Sequence, residues 1–171
     1  TEKIKTGRST VYSSHGTVTT SQPLASSAGL HILQQGGNAI DAAVATAAML
    51  NVVEPHMTGL GGDVFALLWS ANEQKLVGLD ASGKSGSLLD KTELLGKGTE
   101  SIPRTGAKSI TVPGALGGWC ALLDRYGTMS LSQVLAPAIM TAERGFPVTP
   151  IIAQQWREKR KFLCQDSGAR K

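Results

Sequence analysis

Apolar and polar residues alternate in blocks along this chain, and each block has recognisable punctuation. Val11-Tyr12 and Thr17-Val18-Thr19-Thr20 read as short β segments around the turn Ser14-His15-Gly16. Pro23 suits the first turn of a helix, where its missing N–H is not needed. That helix is expected from about Leu24 to Gln35, ended by Gly36-Gly37. Asn38 can cap a second helix from Ala39 to Leu50, with Asp41 favourable at its positive end. This segment is apolar on nearly every face and rich in alanine, the pattern of a buried helix. Glu54-Pro55 stops it.

A glycine-rich turn, His56 to Asp63, then feeds the β run Val64-Phe65-Ala66-Leu67-Leu68-Trp69. A polar stretch from Ser70 to Gln74 leads into a second run, Lys75 to Asp80, and the pair predicts an antiparallel hairpin. Because the first run is apolar throughout, both of its faces are expected to be covered, helices on one side and another layer on the other. Ala81 to Gly86 is a Ser- and Gly-rich loop, and Lys91 to Gly106 reads as irregular and exposed. Ile110-Thr111-Val112 is a brief extended piece. Three more helices are expected: Leu116 to Tyr126, Leu131 to Arg144 behind the capping Ser130 and bent near Pro137, and Thr149-Pro150 to Leu163. No repeat or linker interrupts residues 1–171, so no internal domain boundary is drawn.

Composition supports a globular chain: 41% hydrophobic, 18% charged, and 20 glycines among the 171 residues, which favours close backbone approach. The net charge of +4 is unevenly placed. Ser9 to Gln74 holds no Lys or Arg, and basic residues gather at Arg157, Lys159, Arg160, Lys161, Arg170 and Lys171. A terminal basic run beside only Trp156 and Phe162 reads as a solvated helix face, so nucleic acid is not expected as a partner. The alanine-rich run is broken by Asp41 and Thr46, so no membrane span is expected. Thr1 to Thr6 has no apolar core of a signal peptide, which favours a cytoplasmic location.

Candidate chemistry is sparse. Cys120 and Cys164 are too far apart for a CxxC site, and His15, His31 and His56 form neither HxH nor HExxH, so no metal site is expected. His31 reads as a packing residue in mid-helix. His56, beside the glycine turn, is open to a functional reading. Gly59-Leu60-Gly61-Gly62-Asp63 is not a phosphate loop, because a helix precedes it and a strand follows, the reverse of the dinucleotide fingerprint. The hydroxyls at Ser13-Ser14 and Thr19-Thr20-Ser21 have no GxSxG context and no evident base. Ser82-Gly83-Lys84-Ser85, a polar loop directly after a β run, is the best candidate for contact with a ligand. Lys84 could meet a substrate carboxylate as a point charge, or be an ordinary exposed lysine.

The combination carries a further signal. Ser21-Gln22-Pro23-Leu24-Ala25, Gly29-Leu30, Gly36-Gly37-Asn38-Ala39-Ile40-Asp41-Ala42-Ala43-Val44-Ala45 and Asn51-Val52-Val53-Glu54-Pro55 resemble the start of the gamma-glutamyltranspeptidase family. So do Thr58-Gly59-Leu60-Gly61-Gly62-Asp63 with Phe65, Val112-Pro113-Gly114, Tyr126-Gly127-Thr128 and Ala142-Glu143-Arg144-Gly145-Phe146. The resemblance runs from about Arg8 to Trp156. It implies an α+β N-terminal-nucleophile hydrolase fold, an αββα sandwich, of which this chain is an incomplete N-terminal part. It also implies a precursor that cuts itself into large and small subunits, the new N-terminal threonine of the small subunit being the nucleophile. No cofactor is implied. The chain ends before that threonine would appear, so no catalytic residue is assigned here, and the partner expected is the remainder of the precursor, with a small-molecule amide as substrate. Members that act on gamma-glutamyl compounds have an arginine in the loop after the second β run. Ser82 occupies that place, with Lys84 shifted from it. A serine cannot form the bidentate pair, which favours the family's cephalosporin-acylase-like and small-amide branch. A truncated, non-catalytic gene product is the other reading of the same residues.

Overall fold

The computed structural model describes residues 10–92 and 101–165. Among the described residues the main elements follow in the order α1 (Pro23–Gln34), α2 (Ala39–Val53), β1 (Val64–Ser70), β2 (Lys75–Ala81), α3 (Ala115–Tyr126), α4 (Leu131–Arg144) and α5 (Pro150–Leu163). A short 3-10 turn, Ala107–Ser109, precedes α3.

Each helix begins where its punctuation places it. The side chain of Gln22, rather than a hydroxyl, caps α1 by accepting from the amides of Leu24 and Ala25. Asn38 and Asp41 form a reciprocal capping box at α2, and Ser130 and Gln133 do the same at α4. α2 runs three residues beyond the expected Leu50, to Val53, and stops at Glu54-Pro55. It is the central element: Ala42, Val44, Ala45, Ala48, Met49 and Val53 are all buried, against Ala25, Ala28 and Ile32 of α1, Trp119 and Leu123 of α3, and Val134 and Ala138 of α4. Alanines here let neighbouring helices approach closely while still excluding water.

Asp41 ties this layer together. It is 0% exposed. Its carboxylate accepts the Asn38 amide at 2.8 Å, the Thr128 amide at 3.0 Å, the Thr128 hydroxyl at 2.6 Å and the Met129 amide at 3.2 Å. Asn38 returns a bond to the Tyr126 carbonyl at 2.6 Å. One side chain thus caps α2 and holds the α3–α4 connection against it. Burial pushes the Asp41 carboxyl up, but the Thr128 hydroxyl and the three amides together outweigh it, and the group lies below its usual carboxylate value.

The hairpin pairs antiparallel from Val64↔Ala81 to Ser70↔Lys75. Val64, Ala66 and Leu68 are half-buried on the side of α3, whereas Phe65, Leu67 and Trp69 are 68%, 78% and 60% exposed on the other. The expectation that both faces of β1 are covered is therefore corrected: within the described residues only one face is. The expected β segments at 11–12 and 17–20 also do not form strands, because no neighbouring backbone among the described residues offers them a ladder. Residues 17–20 instead run beside α1 and α2, with the Thr20 hydroxyl donating to the Gln22 carbonyl at 2.6 Å. The expected irregular stretch from Lys91 to Gly106 lies partly outside the described residues.

Two outcomes follow from this packing. Asp41→Ala leaves three partly buried amide donors without their carboxylate and is expected to cost about 3 kcal/mol in the urea unfolding of the helical signal. Because the folded carboxyl titrates below its reference value of 3.8, its stabilisation is complete above that pH. It is lost as pH falls through the folded value. The gap between wild type and Asp41→Asn should therefore shrink in acid, and an unchanged gap would contradict the network. The chain by itself is expected to bind a hydrophobic dye on the Phe65-Leu67-Trp69 face and to melt broadly. A sharp cooperative melt without dye binding would refute this.

Candidate functional site

The loop after β2 is held by two neighbours, the glycine turn before β1 and the segment before α3. Asp63, at the end of the glycine turn, accepts the Gly83 amide at 2.8 Å and the Thr111 hydroxyl at 3.1 Å through one oxygen, Oδ1. The carbonyl of Gly62 accepts both the Gly114 and Ala115 amides at 3.0 Å, closing the start of α3, which has no side-chain cap. The Val112 amide donates to the Lys84 carbonyl at 2.8 Å, and Ser85 bridges Thr111. Contact is so close that a Cβ on Gly83 would lie 1.5 Å from the Val112 carbonyl oxygen, and one on Gly114 would lie 2.1 Å from that of Ala81. Both positions therefore require glycine.

The two residues singled out in sequence, Ser82 and Lys84, both sit on this loop and both are exposed. Asp80 occupies Ser82 twice, accepting its amide at 2.9 Å and its hydroxyl at 2.7 Å. The Ser82 hydroxyl and amide hold the Asp80 carboxyl below its usual value. Among the described residues nothing pairs with the Lys84 ammonium. The loop therefore presents one uncommitted cation on a pinned backbone. Asp63 is the residue that sequence reasoning missed. In the sequence it is the tail of a glycine turn, and the available signal is a carboxylate beside glycine amides, a pairing that satisfies exposed donors.

His56 belongs to a different arrangement. The Trp156 indole N–H donates to its Nδ1 at 2.8 Å, and its Nε2 lies 2.7 Å from Gln155 Oε1. Indole nitrogen only donates, so Nδ1 is the acceptor and Nε2 carries the proton. The ring thus links the turn after α2 to α5, with both nitrogens engaged, and the functional reading of His56 is not supported. Ser14 Oγ lies 2.8 Å from His15 Nδ1, but this is an exposed contact between chain neighbours with no third group orienting the ring. Among the described residues, no cluster of His, Cys, Asp and Glu could hold a metal, and no helix is long and apolar enough to cross a membrane.

The gamma-glutamyltranspeptidase family model matches residues 25–171. The chain belongs to that family. Among curated relatives it is 48% identical over 141 residues to the glutathione hydrolase-like YwrD proenzyme of Bacillus subtilis, covering 82% of this chain and 26% of that protein. It is 42% identical over 163 residues to the Acylase ACY 1 proenzyme of Pseudomonas sp., covering 91% of this chain and 29% of that one. The solved cephalosporin acylase of Bacillus halodurans superposes with a TM-score of 0.86 at 45% identity, over 96% of this chain and 31% of that chain. The fold is thus the N-terminal part of the family's N-terminal-nucleophile hydrolase sandwich. The chain spans less than a third of the length of each of these proteins.

The close contact at Gly83 yields a sharp outcome. Gly83→Ala drives a methyl group into the Val112 carbonyl and is expected to displace the 81–85 loop or prevent soluble folding, whereas Ser87→Ala on the exposed continuation should be silent. Wild-type solubility and melting for Gly83→Ala would show that the loop is not pinned as described.

Proposed function

We propose that this chain is the N-terminal large-subunit segment of a gamma-glutamyltranspeptidase-like amidohydrolase or acyltransferase of the acylase-like branch. The reaction it serves is cleavage of a small amide through an acyl-enzyme. A threonine hydroxyl supplied by the rest of the precursor adds to the amide carbon, the amine leaves with a proton, and water or another amine releases the acyl group. Within that scheme this segment forms one wall of the acyl pocket. Ser82 and Lys84 are the residues of that wall that face the substrate.

The observation that carries the reading is the state of the loop's charges. The Ser82 amide and hydroxyl are both turned toward Asp80, and Lys84 is uncommitted. An ammonium ion on a flexible stem meets an acyl-group carboxylate as a single charge. It does not provide the planar two-point grip of a guanidinium that fixes the alpha-carboxylate of a gamma-glutamyl group. The likeness to the cephalosporin acylase and to Acylase ACY 1 supports the same branch.

The test is steady-state kinetics on the complete enzyme containing this segment. Gamma-glutamyl-p-nitroanilide should be a poor substrate with a high KM. Ser82→Arg should improve its kcat/KM roughly tenfold, the scale of one added charge-assisted contact. Lys84→Met should weaken substrates that carry an acyl-chain carboxylate. Brisk turnover of gamma-glutamyl-p-nitroanilide by the wild type at low KM would overturn the assignment to the acylase-like branch.

A further inference from the structure

The glycine turn and the substrate-facing loop are separate in sequence, and one carboxylate joins them. We infer that Asp63 is a positioning residue for the acyl pocket: by holding Gly83 and Thr111 together it fixes where Lys84 is presented, and so sets selectivity for acyl groups that end in a carboxylate. This rests on the role proposed above for Lys84.

Asp63 is exposed, and the turn it ends is closed without its side chain, by the Gly62 amide donating to the Gly59 carbonyl at 3.1 Å. Its carboxylate contributes nothing to the apolar core. Both of its bonds go instead to the two strips of backbone that frame Lys84: the Gly83 amide on one side and the Thr111 hydroxyl on the other. Lys84 is then held through its own carbonyl, which accepts the amide of Val112, the residue after Thr111. The loop cannot tighten further, because Gly83 already lies against the Val112 carbonyl. Without Asp63 it can open outward.

There is a second consequence for binding. Backbone amides in a loop are anion receptors. Asp63 occupies that of Gly83, and Asp80 occupies that of Ser82. With both amides turned inward, neither is offered to a carboxylate arriving at this loop, and the charge it meets there is the Lys84 ammonium, whose effect depends on where it stands.

The experiment compares two anilides on the complete enzyme. Glutaryl-p-nitroanilide carries a terminal carboxylate, and valeryl-p-nitroanilide is its uncharged counterpart of the same chain length. Asp63→Ala should raise KM for the glutaryl compound roughly tenfold, with kcat within about twofold, and leave the valeryl compound unchanged. Asp63→Asn keeps an acceptor oxygen and should restore most of the difference. In a Lys84→Met background, Asp63→Ala should add nothing further. Should Asp63→Ala fail to fold, Thr111→Val, which removes one of the two bonds, should give a smaller rise with the same selectivity. An equal rise in KM for both anilides, or no change in Asp63→Ala or Thr111→Val while Lys84→Met raises the glutaryl KM, would overturn the inference and leave the role of Lys84 standing. No effect of Lys84→Met on either anilide would overturn both.

Discussion

A single buried carboxylate organises the helical layer. Asp41 is fully removed from water, yet among the described residues no cation pairs with it: four neutral donors from two parts of the chain do the work of a counter-ion. Amide and hydroxyl dipoles held rigidly by helix ends can stabilise a charge without the desolvation of a second one. The arrangement is therefore directional as well as stabilising. It sets where α3 ends relative to the start of α2, and α3 in turn carries the inner face of the hairpin. The position of the polar loop after β2 thus depends, through α3, on a cap at the opposite end of that helix.

The same device recurs at smaller scale around the loop itself. Asp63 and Asp80 each gather donors from backbone and hydroxyl groups. The difference lies in solvent. Asp41 is buried and ties helix ends together, whereas Asp63 and Asp80 are exposed and set the conformation of one loop. Carboxylates that accept from glycine amides suit places where side chains have no room, and the approach of Gly83 to Val112 leaves none.

Much of this was legible in the sequence because helix ends carry local signals. Pro23, Asn38, Ser130 and Gly145 act within a few residues of themselves, and the helices begin and end where they stand. The hairpin was legible for the same reason. What failed was non-local. The sequence shows that Phe65, Leu67 and Trp69 call for a covering layer but not whether this chain provides it, and residues 17–20 have strand-forming side chains without a strand to pair with. Asp41 was legible as a favourable charge at the start of α2, while its bonds to Thr128 and Met129, 87 and 88 positions on, were not. Ser82 and Lys84 stood out because they follow a β run and depart from a family pattern. Asp63 did not, because its partners Gly83 and Thr111 are 20 and 48 positions away.

The outer face of the hairpin connects these observations. A two-stranded sheet with three large apolar side chains facing water is not a stable end state. In the family's sandwich the corresponding sheet is an inner layer, so the exposure of Phe65, Leu67 and Trp69 marks the side on which the fold is incomplete, and the loop after β2 stands at the end of that same sheet. The apolar face and the charged loop therefore belong to one surface with a division of labour. The face offers burial, which holds whatever covers it without regard to chemistry. The loop, pinned by Asp63 and Asp80 and with Lys84 uncommitted, offers the charge to which we assign discrimination between substrates. On the proposed role of this loop, selectivity is a matter of which donors it has already satisfied internally and which it has left for a ligand.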